Sequence, residues 1–214
     1  MFLPRDIDQA CSDDDYPWAR GDRTLYELCD EEPTHTDLQS VIAKVWLIGR
    51  AYAAAIERGR DKTTDTDTLT QLYEVTARSL MESDLDSHLN KLRCYVKIDH
   101  NNKRDVLSAH LHLLDVLSNV TGKRKRSFAA KYLHFHCPSV VPIYDSYAEG
   151  TLRKLVPTPS LIPKNYDHAY ADFVERFIIL REQLSHQYGR VLTPRQLDRL
   201  LWLKGEKYAY KTMA

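Results

Sequence analysis

Apolar residues recur at intervals of three and four over three long stretches of this chain, a spacing that lines up on one face of an α-helix. Leu38 to Arg58 puts Val41, Val45, Ile48, Tyr52, Ala55 and Ile56 on one side, with Trp46 and Leu47 widening the face. Val106 to Val120 (VLSAHLHLLDVLSNV) repeats the pattern, and Gly122 stands just past its end, where a C-terminal cap belongs. Tyr166 to Tyr188 carries Phe173, Phe177, Leu180 and Leu184, with Ile178 beside them and Arg181 turned away. Shorter helices are expected over Leu69–Leu80, on to about Leu92, over Ser127–His136 and over Tyr147–Leu155. Thr193-Pro194, a cap and a first-turn proline, starts a last helix to about Leu203. The reading is an all-α protein of seven to nine helices.

The remaining segments set the organisation. Residues 1–37 read as an irregular arm, acidic in CSDDDYPWARGD and anchored by Trp18, with a helical turn or two at Arg23–Cys29. Thr36 or Asp37 caps the helical domain, 38–214. The turn at Asp99–Asn102 is the candidate boundary between two lobes, 38–98 and 99–214. GRDKTTDTDT (59–68) is a polar loop, RCYVKI (93–98) alternates but is too short and isolated to imply a sheet, and Pro157, Pro159 and Pro163 stiffen 156–164. Residues 205–214 are expected to fray.

Charge narrows the function classes. Lys and Arg number 30, as do Asp and Glu, so no global field draws nucleic acid and any attraction is local. No run of 18 apolar residues occurs, so no membrane partner is expected. The N-terminus turns acidic without a signal-peptide core, which makes the cytoplasm the expected location. Cys11, Cys29, Cys94 and Cys137 lie far apart, as reduced thiols rather than a zinc ribbon.

The exception to this even charge is TGKRKRSFAAKYLHFHCPSVVPIYDSYA, 121–148. Lys123, Arg124, Lys125 and Arg126 follow Gly122 and precede a helix. A helix N-terminus has unpaired N–H groups and a partial positive charge, so added cations make a local site for phosphate. A proline-bounded connection then leads to Asp145, a carboxylate that can cap the next helix or stabilise a developing cation.

Helix, glycine turn, helix, proline-bounded loop and aspartate together resemble the helix-hairpin-helix DNA glycosylase superfamily, in particular bacterial proteins with an 8-oxoguanine-glycosylase-like fold. The likeness covers about residues 106–150. It implies a two-lobed helical fold with a degenerate hairpin, DNA as partner, and Asp145 as the catalytic carboxylate. Gly122 matches the first glycine of the hairpin, G-x-G-x-K, while Arg124 stands at the second and Arg126 where the Schiff-base lysine would be. An arginine cannot serve as that amine nucleophile. The chemistry implied is therefore monofunctional N-glycosylase activity, hydrolysis without lyase activity, with no cofactor. Its phosphate-binding set is Gly122, Lys123, Arg124, Lys125 and Arg126.

Base removal also needs a pocket for a flipped base, with aromatic stacking. Tyr132, Phe135, Tyr144 and Tyr147 are close enough in sequence to supply it. Arg50, Lys131, His134 and His136 are further pocket candidates, Arg50 as a clamp or as a helix ion pair with Glu57. His110-Leu111-His112 and His134-Phe135-His136 offer four imidazoles. Residues two apart on a helix point about 200° apart, however, and no metal site is assigned. P-loop, G-x-S-x-G and dinucleotide fingerprints are missing from the sequence. The competing reading is an all-helical interaction module without chemistry. It predicts Asp145 capping a helix beside a filled interior, where a glycosylase predicts Asp145 in an aromatic-walled pocket. No oligomeric state is implied.

Overall fold

The computed structural model describes residues 2–12, 16, 18–58, 69–156, 159 and 164–212, with backbone alone for 206–212. Among them the fold is all helical: α1 (Pro4–Cys11), α2 (Ala19–Glu31), α3 (Leu38–Ala51), α4 (Leu69–Met81), α5 (Leu85–Arg93), α6 (Lys103–Thr121), α7 (Arg126–His136), α8 (Ser146–Leu155), α9 (His168–Tyr188) and α10 (Pro194–Thr212). The polar loop 59–68 and most of the proline connection lie outside the described residues.

Helix ends follow local chemistry. The Asp37 carboxylate accepts from Ser40 N at 2.7 Å and starts α3. Thr193 and Gln196 exchange two bonds across the first turn of α10, with Thr193 N donating at 3.0 Å and Thr193 Oγ1 accepting at 3.2 Å. Gly122 closes α6 in the left-handed region, φ 66°, as its position past the helix predicts. The helix expected to reach Arg58 instead stops at Ala51. Ala53 turns left-handed, φ 51°, and the chain folds back so that Ala55 packs on Gly49, where an added Cβ would lie 3.2 Å from Ala55 Cα.

Two expectations are corrected. The arm 1–37 is not irregular: α1 and α2 occupy most of it and bury Ile7, Ala10, Leu25 and Cys29. Their apolar residues are few per turn, which left the periodicity weak. Arg181 does not face solvent; it is buried and donates to the Ile98 carbonyl, satisfying the 93–98 segment that forms no strand. α10 also continues beyond Leu203, to Thr212.

α7 is the innermost helix. Every residue from Phe128 to His136 is buried, and α2, α3 and α6 pack around it. α8 lies between α9 and α10, and α1 packs on α10, so the two ends of the described chain meet. The buried apolar side chains form one contiguous cluster drawing on both 38–98 and 99–214. Among the described residues no helix is long and apolar enough to cross a membrane.

Candidate functional site: an aromatic-rimmed cavity at the head of helix eight

A cavity of about 430 Å³ opens where α2, the end of α3, the head of α8 and α10 converge. That lies within the roughly 300–1,000 Å³ typical of small-molecule pockets. Its rim is aromatic: Trp18 is 72% exposed and Trp202 51% exposed, and the Tyr147 and Trp202 ring centroids lie 6.5 Å apart. Tyr16 and Tyr52 extend the aromatic wall inward, and Ile143, Ala148 and Leu25 add apolar surface.

Three carboxylates line this space, Asp22, Asp145 and Asp198. Asp145 Oδ1 accepts from Tyr147 N at 3.0 Å and Ala148 N at 2.8 Å, which fixes the side chain at the start of α8. Its Oδ2 faces Lys131 Nζ at 3.7 Å. Lys131 is buried in the middle of α7, and its amine also donates to the Tyr52 carbonyl at 3.1 Å. Burial lowers its pKa, opposed by the nearby Asp145 carboxylate. Asp198 comes from α10. Burial, with Asp145 adding to it against Arg195, pushes its carboxyl up to about 6.

Arg195 ties the walls together. Its guanidinium donates to Asp198 Oδ2 at 3.0 Å, to Tyr52 Oη at 2.8 Å and to the buried Asp22 carboxylate. Tyr16 and Tyr52 hydroxyls also donate to Asp22. Behind Tyr52, His134 Nδ1 donates to the Val141 carbonyl at 2.7 Å. Its Nε2 is therefore the acceptor for Tyr26 Oη, also 2.7 Å away. Burial pushes the Tyr26 and Tyr52 hydroxyls well up, so both act as neutral donors.

The structure brings together only part of the expected site. Asp145 lines the cavity, with Lys131 directly behind it. Tyr147 reaches the rim, while the other three expected aromatics are core. Tyr132 is buried and donates to His35 Nε2 at 2.7 Å, Phe135 packs against Tyr26, and Tyr144 is edge-on to Phe173 with its hydroxyl donating to Glu149. α7 is buried all round, so its aromatics have no route to a surface pocket. Arg50 forms an ion pair with Glu57 and is no clamp. His136 stacks on His35 and Tyr132 inside the core. His110 lies flat on Tyr170, with centroids 3.8 Å apart. No group of three or more potential metal ligands occurs among the described residues.

The cationic run is partly spoken for. Arg126 donates from Nε to Asp167 Oδ1 at 2.5 Å and from Nη2 to Oδ2 at 2.9 Å. Its guanidinium also lies 5.8 Å from the Tyr144 ring centre, next to Asp145 in the chain. Arg124 reaches Asp167 and Asp115, and Lys125 donates to the Arg58 carbonyl. Lys123 is exposed.

Asp22, Tyr16, Trp18, Arg195, Asp198 and Trp202 were missed in the sequence. Trp18 entered the sequence reading only as an anchor of the arm. One signal was present: Arg195, Asp198, Arg199 and Trp202 recur at three and four residues, a polar-aromatic stripe beside the apolar Leu197, Leu200 and Leu201. Comparison with family models, curated proteins and solved structures gives no match.

Proposed function

We propose that this protein binds DNA and hydrolyses an N-glycosidic bond, as a monofunctional N-glycosylase whose extruded base enters the aromatic-rimmed cavity. The observation that carries the reading is the position of Asp145: it lines a concave, aromatic-walled space and turns Oδ2 towards Lys131. In such a site the C–N bond breaks, the base leaves with the electron pair, and the sugar becomes an oxocarbenium ion. Asp145 supplies the negative charge beside that cation, and water then adds to the anomeric carbon. Trp18, Tyr147 and Trp202 supply stacking for the base. Lys123 and the start of α7 supply phosphate contacts, with Arg124, Lys125 and Arg126 weakened in that role by their intramolecular partners. A cytoplasmic location belongs to the same reading and is supported by four cysteines that are all free thiols.

The test is binding of labelled duplex and abasic-analogue DNA across a salt series, followed by base release with Asp145→Asn. Salt-sensitive binding, preference for the abasic analogue and release abolished in the variant support the proposal. No binding at low salt removes it. A second reading, a helical binding module without chemistry, is favoured by the two backbone bonds through which Asp145 caps α8. Binding without base release from any substrate would identify it.

A further inference from the structure

Besides Asp145 the cavity holds Asp22, which is taken up by Arg195, Tyr16 and Tyr52, and Asp198, which stabilisation of a sugar cation does not use. Asp198 stands on α10 and lines the same space as Asp145. Arg195 Nη1 holds its Oδ2 at 3.0 Å, which leaves Oδ1 as the atom to carry a proton. The side chain is 16% exposed, shielded from bulk water yet reachable from the cavity.

The charged groups around it come from four elements: Arg195 from its own helix, Asp22 from α2, Asp145 from the head of α8 and Lys131 from α7. The two neighbouring carboxylates and burial favour the protonated form, and the two cations oppose it. The balance places the group at about 6, where an acid holds its proton in weakly acidic solution and gives it up readily. Asp145, by contrast, is paired with an amine and two backbone N–H groups. One site thus gives two carboxyl groups different environments, the arrangement by which acid and anion roles are divided.

Resting on the glycosylase reading, we propose that Asp198 is the acid that protonates the leaving base, and that the substrates are nucleotides whose base carries an unprotonated ring nitrogen, the purines above all, and not thymine or uracil. A purine offers the ring nitrogens N3 and N7 as proton acceptors. Thymine and uracil have no unprotonated ring nitrogen once the glycosidic one is counted, and depart as anions without this help. The step balances as a hydrolysis. The glycosidic C–N bond breaks and its electron pair goes to the base. Asp198 passes its proton to a base nitrogen. Water bonds to the anomeric carbon and releases a proton to Asp145, and from there to solvent. Asp198 regains a proton from solvent.

The experiment measures base release by the full chain from oligonucleotides carrying adenine, guanine, hypoxanthine, 8-oxoguanine, uracil or thymine at one position, between pH 5 and 8. Release confined to purines is expected, falling about tenfold per pH unit above pH 6. Asp198→Asn should slow it about 100-fold or more and flatten that pH dependence, with an unchanged helical circular-dichroism spectrum and cooperative urea unfolding as proof of folding. A substrate-side arm needs no variant: 7-deaza or 3-deaza forms of the released purine should resist the wild-type protein. Release of pyrimidines in preference overturns the inference while leaving the glycosylase reading in place. So does unaltered release by Asp198→Asn with deaza substrates processed normally. Release of no base at all by protein that binds the abasic analogue overturns the glycosylase reading, and this inference with it.

Discussion

Lys131 Nζ lies 3.7 Å from Asp145 Oδ2, an amine from the middle of the innermost helix meeting the carboxylate that starts α8. One carboxylate oxygen thus serves the helix cap and the other faces the buried amine. Asn caps a helix about as well as Asp but leaves the buried Lys131 amine without its carboxylate, so Asp145→Asn should lower the urea unfolding midpoint modestly while slowing base release by about 100-fold or more. Asp145→Ala should lose the cap as well, costing about 1 kcal/mol. Equal release by wild type and Asp145→Asn would remove the carboxylate from the mechanism.

Acid should destabilise the fold through its buried histidines. Burial pushes His134 down to about 3 and His110 down to about 4, and lowers His35 and His136 as well. These rings are neutral in the fold but take up protons when the chain unfolds, near pH 6.5. Below that pH the unfolded state holds more protons, so stability falls as pH drops, by about 1.4 kcal/mol per pH unit per histidine. Asp198 has the opposite sign: raised to about 6, it gains protons in the fold before an unfolded aspartate does. Urea unfolding at pH 7 and pH 5 should show a net loss, and His134→Gln should reduce it by about 2 kcal/mol. A flat profile would show these rings to be charged in the fold.

The cationic run should divide into structural and binding members. Asp167 caps α9 by accepting from Tyr170 N at 3.0 Å. Burial works against its charge, but Arg126 and that N–H outweigh it and hold the carboxyl at about 2. Arg126→Ala leaves the buried carboxylate with only the longer Arg124 contact, at 3.4 Å, and should cost about 2–3 kcal/mol by chemical unfolding. Lys123→Ala should leave stability within about 0.5 kcal/mol and reduce the salt slope of DNA binding by about one. The reverse pattern would place the phosphate contact on Arg126.

Two of the three tryptophans, Trp18 and Trp202, stand at the cavity. Abasic-site DNA and free base added together should quench their fluorescence. Trp18→Ala and Trp202→Ala should each weaken binding of base-bearing single strands by about 1–3 kcal/mol. Quenching that survives both changes would place the ligand elsewhere.

Gly205 gives a way to disturb this rim from α10. A Cβ there would come within 2.4 Å of the Tyr147 ring and 2.7 Å of Thr151 Oγ1. Gly205→Ala should displace Tyr147 and weaken ligand binding while the buried core persists. Unchanged affinity would show that Tyr147 takes no part.

Long helices with regular apolar spacing were legible in the sequence, because α3, α6 and α9 each bury a repeating face against neighbours. So were Asp145 and Lys131, which sit in the one segment where charge and proline punctuation depart from the rest of the chain. The remainder of the cavity was not. Asp22 and Arg195 are 173 residues apart in sequence and meet only because α10 packs back towards the N-terminal helices. Trp18 and Trp202 carry the residue type that ordinarily signals core, yet both are exposed. Tyr132 and Tyr144 had the right chemistry for a base pocket, and the burial of Phe128–His136 and of 140–144 turned them inward.

The bond between Arg195 and Asp22 also has a consequence during synthesis. A ribosome makes Asp145, Lys131 and the cationic turn well before it makes Arg195, Asp198 and Trp202. Until residues 194–203 have emerged, the nascent chain has half a cavity and an Asp22 carboxylate with only the Tyr16 and Tyr52 hydroxyls as partners. The cavity is therefore completed only when α10 docks, and a chain halted before residue 194 lacks the Arg195, Asp198 and Trp202 walls however well the earlier helices have folded.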